Sequence, residues 1–316
     1  MINFLKFSAL IFIFMLGIDR GFNYLLDQLY NETMTGQTGG KINHYLSLKN
    51  SPEILIMGNS RSLYQVIPES INPNSYNLSH AGMGLAFQSG LLSILSEKEK
   101  MPSIILLHLD PDDFTSDQRN SDIRNLKYYY GRNAVITNSI NNLSRAEKFK
   151  YLFKLYRHNG RLIPLLKNYI QTLNTTTFSN GYESLMPKPQ DSINTIYSSM
   201  AQKKLPEKKF DKNQLKLLND FILLCQQSDT KLICFTSPVY FNPGNRYQIT
   251  LYNIESFLAS QEIPYINYLT NPIQPLQNRP SLWRDAFHLN DSGAKIESKS
   301  LKESIDLINT NYKLIN

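Results

Sequence analysis

The chain has 316 residues, 41% apolar and 19% charged, with 19 Tyr, 16 Phe and a formal charge of +7. That supply of apolar and aromatic side chains suffices for one large core or two modest ones, and excludes a disordered chain. Two cysteines, each among apolar neighbours ("FILLCQQ", "KLICFTS"), exclude a disulfide scaffold, and no Cys/His spacing suits zinc.

At the N-terminus, Lys6 precedes the uncharged run "FSALIFIFMLGI" (7–18), which ends at Asp19 and Arg20. The run is shorter than the roughly 20 residues that cross a bilayer core, and no small-x-small cleavage site follows it. Extended through "GFNYLL" to Leu26, it reads as a membrane anchor or signal-anchor over 1–27. A cleaved signal and a soluble amphipathic helix are the alternatives. Anchoring puts the rest of the chain on the periplasmic or extracellular side. A polar, glycine-bearing linker ("NETMTGQTGGK") lies within 28–50.

From residue 51 onward, short apolar runs alternate with helical patterns. The runs are "EILIMG" (53–58), "SYNLS" (75–79), "SIILLHLD" (103–110), "KLICFTS" (231–237) and "PYINY" (264–268). Buried parallel strands have this length and make-up. Helices are expected at 84–98, 211–228, 245–261 and 292–310, the last with Asn290 or Asp291 as N-cap. The expected fold is a three-layer α/β/α sandwich around a parallel, flavodoxin-like sheet. A helical insertion at about 115–210 follows the third strand and forms a lid or a wall of the site. Within it, the basic knot "KKLPEKKFDK" (203–212) also holds acids and a proline, so it reads as a solvated loop and not a nucleic-acid patch.

"EILIMGNSRSLYQVIP" (53–68) runs from a buried strand into Gly58, Asn59 and Ser60. A serine at the carboxyl end of a strand, opening a helix, stands where α/β folds bind ligands, and the helix N-terminus favours an oxyanion. "GNSRSL" lacks the further glycines of a dinucleotide turn. By itself Ser60 reads more readily as a helix-start serine than as a nucleophile. "LWRDAFHLNDSGA" adds Asp285 and His288, three residues apart and just before the last helix. A hydroxyl nucleophile needs a base, and the base a third group to fix its tautomer; this turn offers both.

With these motifs the chain resembles the SGNH (GDSL-type) hydrolases and acyltransferases. Gly58-Asn59-Ser60 is similar to the first block of that family, with Asn where Asp is usual. "NLSHAGMGL" matches the second, with Gly82 the better counterpart and Gly84 the alternative. Asp285-x-x-His288 matches the last. The resemblance implies Ser60 as nucleophile, His288 as base, Asp285 as its orienting acid, an oxyanion hole at the N–H groups of Ser60 and Gly82, and no metal or organic cofactor. The third block departs: Asp110 stands where the family places an asparagine donor, and a carboxylate opposes an oxyanion. That departure resembles the membrane-anchored branch, with relatives in polysaccharide O-acetylation and teichoic-acid D-alanylation.

The resemblance implies O-acyl transfer to an envelope or secreted polysaccharide, with an acyl donor, a glycan acceptor and a membrane-bound O-acyltransferase partner. Carbohydrate ester hydrolysis is the alternative within the family. A non-catalytic glycan-binding or scaffold protein is the alternative outside it, distinguished by a buried Ser60 or a His288 turned away. Asn59, Arg61, Gly84, Asp110 and Trp283 are candidate substrate contacts. Arg61 reads also as the partner of a carboxylate such as Asp285, Trp283 as packing, and His80 and His108 as hydrogen-bonded structural histidines. The acidic run at 110–122 lacks the features of a calcium loop and reads as turn-forming.

Overall fold

The five apolar runs form one parallel sheet: β1 (Ile54–Met57), β2 (Ser75–Asn77), β3 (Ile104–His108), β4 (Lys231–Thr236) and β5 (Tyr265–Asn267), in the order β2-β1-β3-β4-β5. The structure is a computed structural model describing residues 2–115, 120–189, 208–240, 245–277 and 279–315. In chain order the helices are α1 (Ile2–Glu32), α2 (Lys41–Ser47), α3 (Ser60–Gln65), α4 (Pro68–Ile71), α5 (Leu85–Glu97), α6 (Ala134–Leu143), α7 (Glu147–Lys150), α8 (Leu162–Leu173), α9 (Asn213–Gln227), α10 (Gln248–Ser260) and α11 (Asp291–Ile315).

The strands are apolar throughout because both sheet faces are covered. Ile54, Ile56, Leu106, Ile233 and Phe235 share one face with Trp283 and with Leu301 and Ile305 of α11. The alternate residues Leu55, Met57, Leu107 and Cys234 are fully buried on the other face, and α5 packs on α9. Each such aliphatic side chain contributes about 1.5–3 kcal/mol on burial. The α/β architecture and the parallel sheet flanked by helices are as the sequence predicts.

The strand order reverses direction at β1, whose neighbours are β2 and β3. Ligands bind at such a switch point, beyond the carboxyl ends of the strands. Ser60 follows β1 there, and Asp110 follows β3.

The chain divides into two compact units. One joins Met1–Leu48 to Ile123–Phe178; the other joins Lys49–Asp122 to Ser179–Asn316 and contains the sheet. This differs from the expected layout of a linker at 28–50 and an insertion at 115–210. Most of the linker is helical: α1 runs on to Glu32, and a wide turn, Gly36–Gly40, leads straight into α2. Its polar residues bind α8 and are not solvated spacers. Thr35 Oγ1 donates to the Asn168 carbonyl at 2.7 Å, and the N–H groups of Met34 and Thr35 donate to Thr172 Oγ1 at 2.9 and 3.2 Å. Residues 123–178 thus belong with the N-terminal segment. Part of the expected lid, 190–207, and with it half of the basic knot, lies outside the described residues.

By length and composition α1 can cross a membrane, and it exposes Phe4, Phe7, Leu10 and Phe14. The acid that interrupts its apolar sequence is satisfied within the unit. Asp19 accepts the backbone N–H groups of Lys154 and Leu155 at 2.8 and 2.9 Å.

Candidate active site

Gly58 makes the turn after β1 at φ +151°, where a side chain is strained. A Cβ there would lie 2.4 Å from Ser62 Oγ and 2.6 Å from His108 Cβ. The Gly58 carbonyl is held by the His80 N–H at 2.9 Å and by Gln88 Nε2 at 2.8 Å. Asn59 then caps α3, its Oδ1 accepting the Arg61 N–H at 2.9 Å. Ser60 opens the helix, half-buried. Asn77 Nδ2 ties down the far end of α3 through the carbonyls of Ser62 and Val66, both at 2.8 Å.

The His288 turn approaches from the other end of the sequence. Asp285 Oδ1 accepts the N–H groups of Phe287 and His288 at 2.9 and 3.0 Å, which closes the loop. His288 Nδ1 lies 3.0 and 3.1 Å from the two Asp285 oxygens, and His288 Nε2 lies 2.9 Å from Ser60 Oγ. With Asp285 holding the proton on Nδ1, the serine hydroxyl donates to Nε2. Burial pushes the Asp285 carboxyl up, but the His288 and Phe287 hydrogen bonds outweigh it and hold it below the usual range. The side chains of His288 and Asp285 keep 23% and 31% of their surface open, so the group is within reach of solvent and substrate.

Of the two glycines considered for the oxyanion hole, Gly84 is already committed. Its N–H donates to Asp122 Oδ2 at 2.9 Å, and Asp122 also takes the Phe87 N–H at the start of α5. Gly82 sits in an open turn at φ +71°, with nothing within 4 Å of where a Cβ would stand.

Asn59, Arg61 and Asp110 form a group of their own. Asn59 Nδ2 donates to Asp110 Oδ2 at 2.7 Å, Arg61 forms an ion pair with the same oxygen, and the Asp112 N–H donates to Asp110 Oδ1 at 3.0 Å. Arg61 therefore pairs with Asp110 and not with Asp285. Burial pushes the Asp110 carboxyl up, but Arg61 outweighs it and holds the acid at about 2. These three polar groups, read as substrate contacts, instead fix the nucleophile turn to the end of β3.

Trp283 is 1% exposed. It packs in the core beside Tyr240 and donates its Nε1–H to the Leu276 carbonyl at 3.2 Å. It braces the His288 turn from behind and does not line the site. His108 is buried as expected but is not satisfied: both ring nitrogens lack a hydrogen-bond partner. Burial, reinforced by Arg61, pushes it down to about 3, so it is neutral. His80 is a loop histidine bonded to the Leu78 carbonyl. Within the acidic run, Asp110 and Asp122 serve as described and Asp112 accepts from the Tyr247 hydroxyl; 116–119 lie outside the described residues.

Several contributors are not apparent from the motifs. Tyr64, one turn after Ser60, sets its ring edge-on to His288 at 5.7 Å. The i, i+4 spacing on α3 is the signal that would have found it. Below the turn, the fully buried Glu297 accepts from Gln65 Nε2 at 2.9 Å and from Ser237 Oγ at 2.6 Å, while Gln65 Oε1 accepts the Leu289 N–H at 3.3 Å. This chain links α11, α3 and the end of β4 to the residue after His288. Residues 180–186 also reach the site: Leu185 accepts the Asp291 N–H, and Met186 accepts from Arg284.

No family model matches the chain, and no curated protein matches it in sequence. Solved structures resemble it. One is a GDSL-like lipase from Bacteroides thetaiotaomicron, 12% identical, with a TM-score of 0.41 over 86% of this chain and 98% of that one. Another is a candidate acylhydrolase from Bacteroides fragilis, 11% identical, with a TM-score of 0.41 over 87% of this chain and 99% of that one.

Proposed function

We propose that this protein is a serine-dependent acyl-ester enzyme. The observation that carries the reading is the chain of contacts from Ser60 Oγ to His288 Nε2 at 2.9 Å and from His288 Nδ1 to Asp285 at 3.0 Å. A hydroxyl so placed transfers its proton to His288 as Oγ attacks an ester carbonyl, and Asp285 stabilises the imidazolium that forms. The oxyanion is received by N–H groups at the start of α3 and at Gly82, with the helix dipole assisting. Collapse breaks the ester C–O bond, the imidazolium protonates the leaving alkoxide, and an acyl group remains on Ser60. A second hydroxyl then loses its proton to His288 as it takes the acyl group, and the imidazolium returns that proton to the departing Ser60 Oγ.

In our reading that second hydroxyl belongs to a sugar of an envelope or secreted polysaccharide. Supporting this are α1, long and apolar enough to hold the protein at a membrane, and the absence of a side-chain amide donor at position 110. The acyl donor then arrives from across the membrane through a membrane-bound O-acyltransferase. Hydrolysis is the second reading, favoured by the openness of His288 and Asp285, which admits water. The features that would favour a non-catalytic scaffold, a buried Ser60 or a His288 turned away, are not those of this site. The test is release of acetate from a small activated ester, with and without an oligosaccharide acceptor. Turnover lost in Ser60→Ala supports the enzyme, acetylated oligosaccharide supports transfer, and acetate alone supports hydrolysis. No turnover by the wild type contradicts both.

A further inference from the structure

The N-terminal unit contains a second polar recess, lined in part by Tyr30, Thr38, Asn125, Lys127, Arg157 and Arg161. Its walls carry three cations and no carboxylate. Burial and Arg161 both lower the Lys127 pKa, while burial and the neighbouring Arg132 lower that of Arg157. Asp27, the acid that acts on Arg157, is also held by an ion pair with Arg132 and by His158 Nε2 at 3.0 Å. Arg161 forms no ion pair among the described residues, and the buried Nε of Arg157 has no acceptor. Lys127 donates to the Asn159 carbonyl and retains further N–H donors. An anion with several oxygens would satisfy the buried Arg157 Nε and at the same time offset the mutual repulsion of the cations.

The setting narrows the anion. Tyr30 belongs to α1, about two turns beyond the exposed apolar Phe22 and little more than one turn beyond Leu25. Arg161 immediately precedes α8, which exposes Ile163, Leu166, Ile170 and Leu173 along one face in the same unit. With α1 held in a bilayer, a cationic recess one turn past the end of its apolar segment at Leu26 stands near the depth of lipid phosphates. We propose that this recess binds a phosphate group, either free or as the headgroup of an anionic lipid. Guanidinium groups match phosphate oxygens in geometry as well as charge.

The test uses the full chain in lipid nanodiscs and reads its thermal unfolding. In phosphatidylcholine discs, inorganic phosphate is titrated against sodium chloride of equal ionic strength; in a second arm, phosphatidylglycerol replaces part of the phosphatidylcholine. The site raises the midpoint by several degrees in at least one arm. A gain with phosphate alone identifies free phosphate, and a gain with phosphatidylglycerol alone identifies the headgroup. Arg161→Gln removes the gain, yet without anion it unfolds no earlier than the wild type because a repelling charge is gone. Arg161→Lys keeps the charge and part of the gain, which separates a lost site from a lost fold. No gain in either arm, or a gain that Arg161→Gln retains in full, overturns the proposal.

Discussion

Asn59 donates its Nδ2–H to Asp110 Oδ2 at 2.7 Å, across the gap between the ends of β1 and β3. In the family that the motifs resemble, an acid precedes the serine and an amide follows the third strand. Here the two residue types are exchanged, yet they meet. Arg61 completes the group as the partner of the carboxylate.

The exchange predicts strong coupling. Asp110→Asn leaves the buried Arg61 guanidinium without its counter-ion, a loss of about 3 kcal/mol. Asn59→Asp sets two carboxylates against each other and also destabilises. The double variant restores one acid, one amide and one arginine, so it recovers most of the loss. Urea unfolding of the four proteins measures this. Single effects that simply add contradict a coupled group.

Glu297 gives stability a particular pH dependence. Burial pushes its carboxyl up to about 7, against the hydrogen bonds of Ser237 and Gln65, from an ordinary value of 4.5. The folded state binds this proton more tightly than the unfolded state. Its contribution is therefore full below about pH 4.5 and is lost as pH rises to about 7, a change of about 3 kcal/mol. Glu297→Gln cannot ionise. Unfolding midpoints of variant and wild type, compared from pH 4.5 to 7.5, should move steadily in the variant's favour. A constant difference contradicts this account of Glu297.

Asp285→Asn tests the orienting acid separately from the nucleophile. The amide occupies the same volume but offers Nδ1 a donor as readily as an acceptor, so His288 loses its fixed tautomer. Ester turnover should fall about 10³–10⁴-fold with little change in KM. A fall of less than about tenfold contradicts an orienting role.

The sheet is legible in the sequence because its strands are buried on both faces and read as unbroken apolar runs. The approach of His288 to Ser60 is legible through the resemblance of their two motifs to blocks of one family, while each motif by itself supplies only its local geometry: a glycine turn into α3, and a four-residue loop closed by Asp285. What escapes the sequence is long-range pairing. Gln65 and Glu297 meet from opposite ends of the sheet-bearing unit, and neither looks unusual in its local stretch. Polarity misleads at 28–50, where Thr35 bonds to α8, and again at Asn59 and Arg61, whose hydrogen-bonding groups are used by the protein itself. Trp283 shows the converse, since a lone tryptophan beside a motif is as easily its foundation as its wall.

The most direct measurement is the intact mass of the protein after brief exposure to an activated acetyl ester, for wild type and Ser60→Ala. The account predicts an acetyl adduct on the wild type, located to Ser60 by peptide mapping, slow to decay in His288→Ala if it forms there at all, and absent from Ser60→Ala. An adduct of equal yield on Ser60→Ala, or none on the wild type with any ester tried, would contradict Ser60 as the nucleophile.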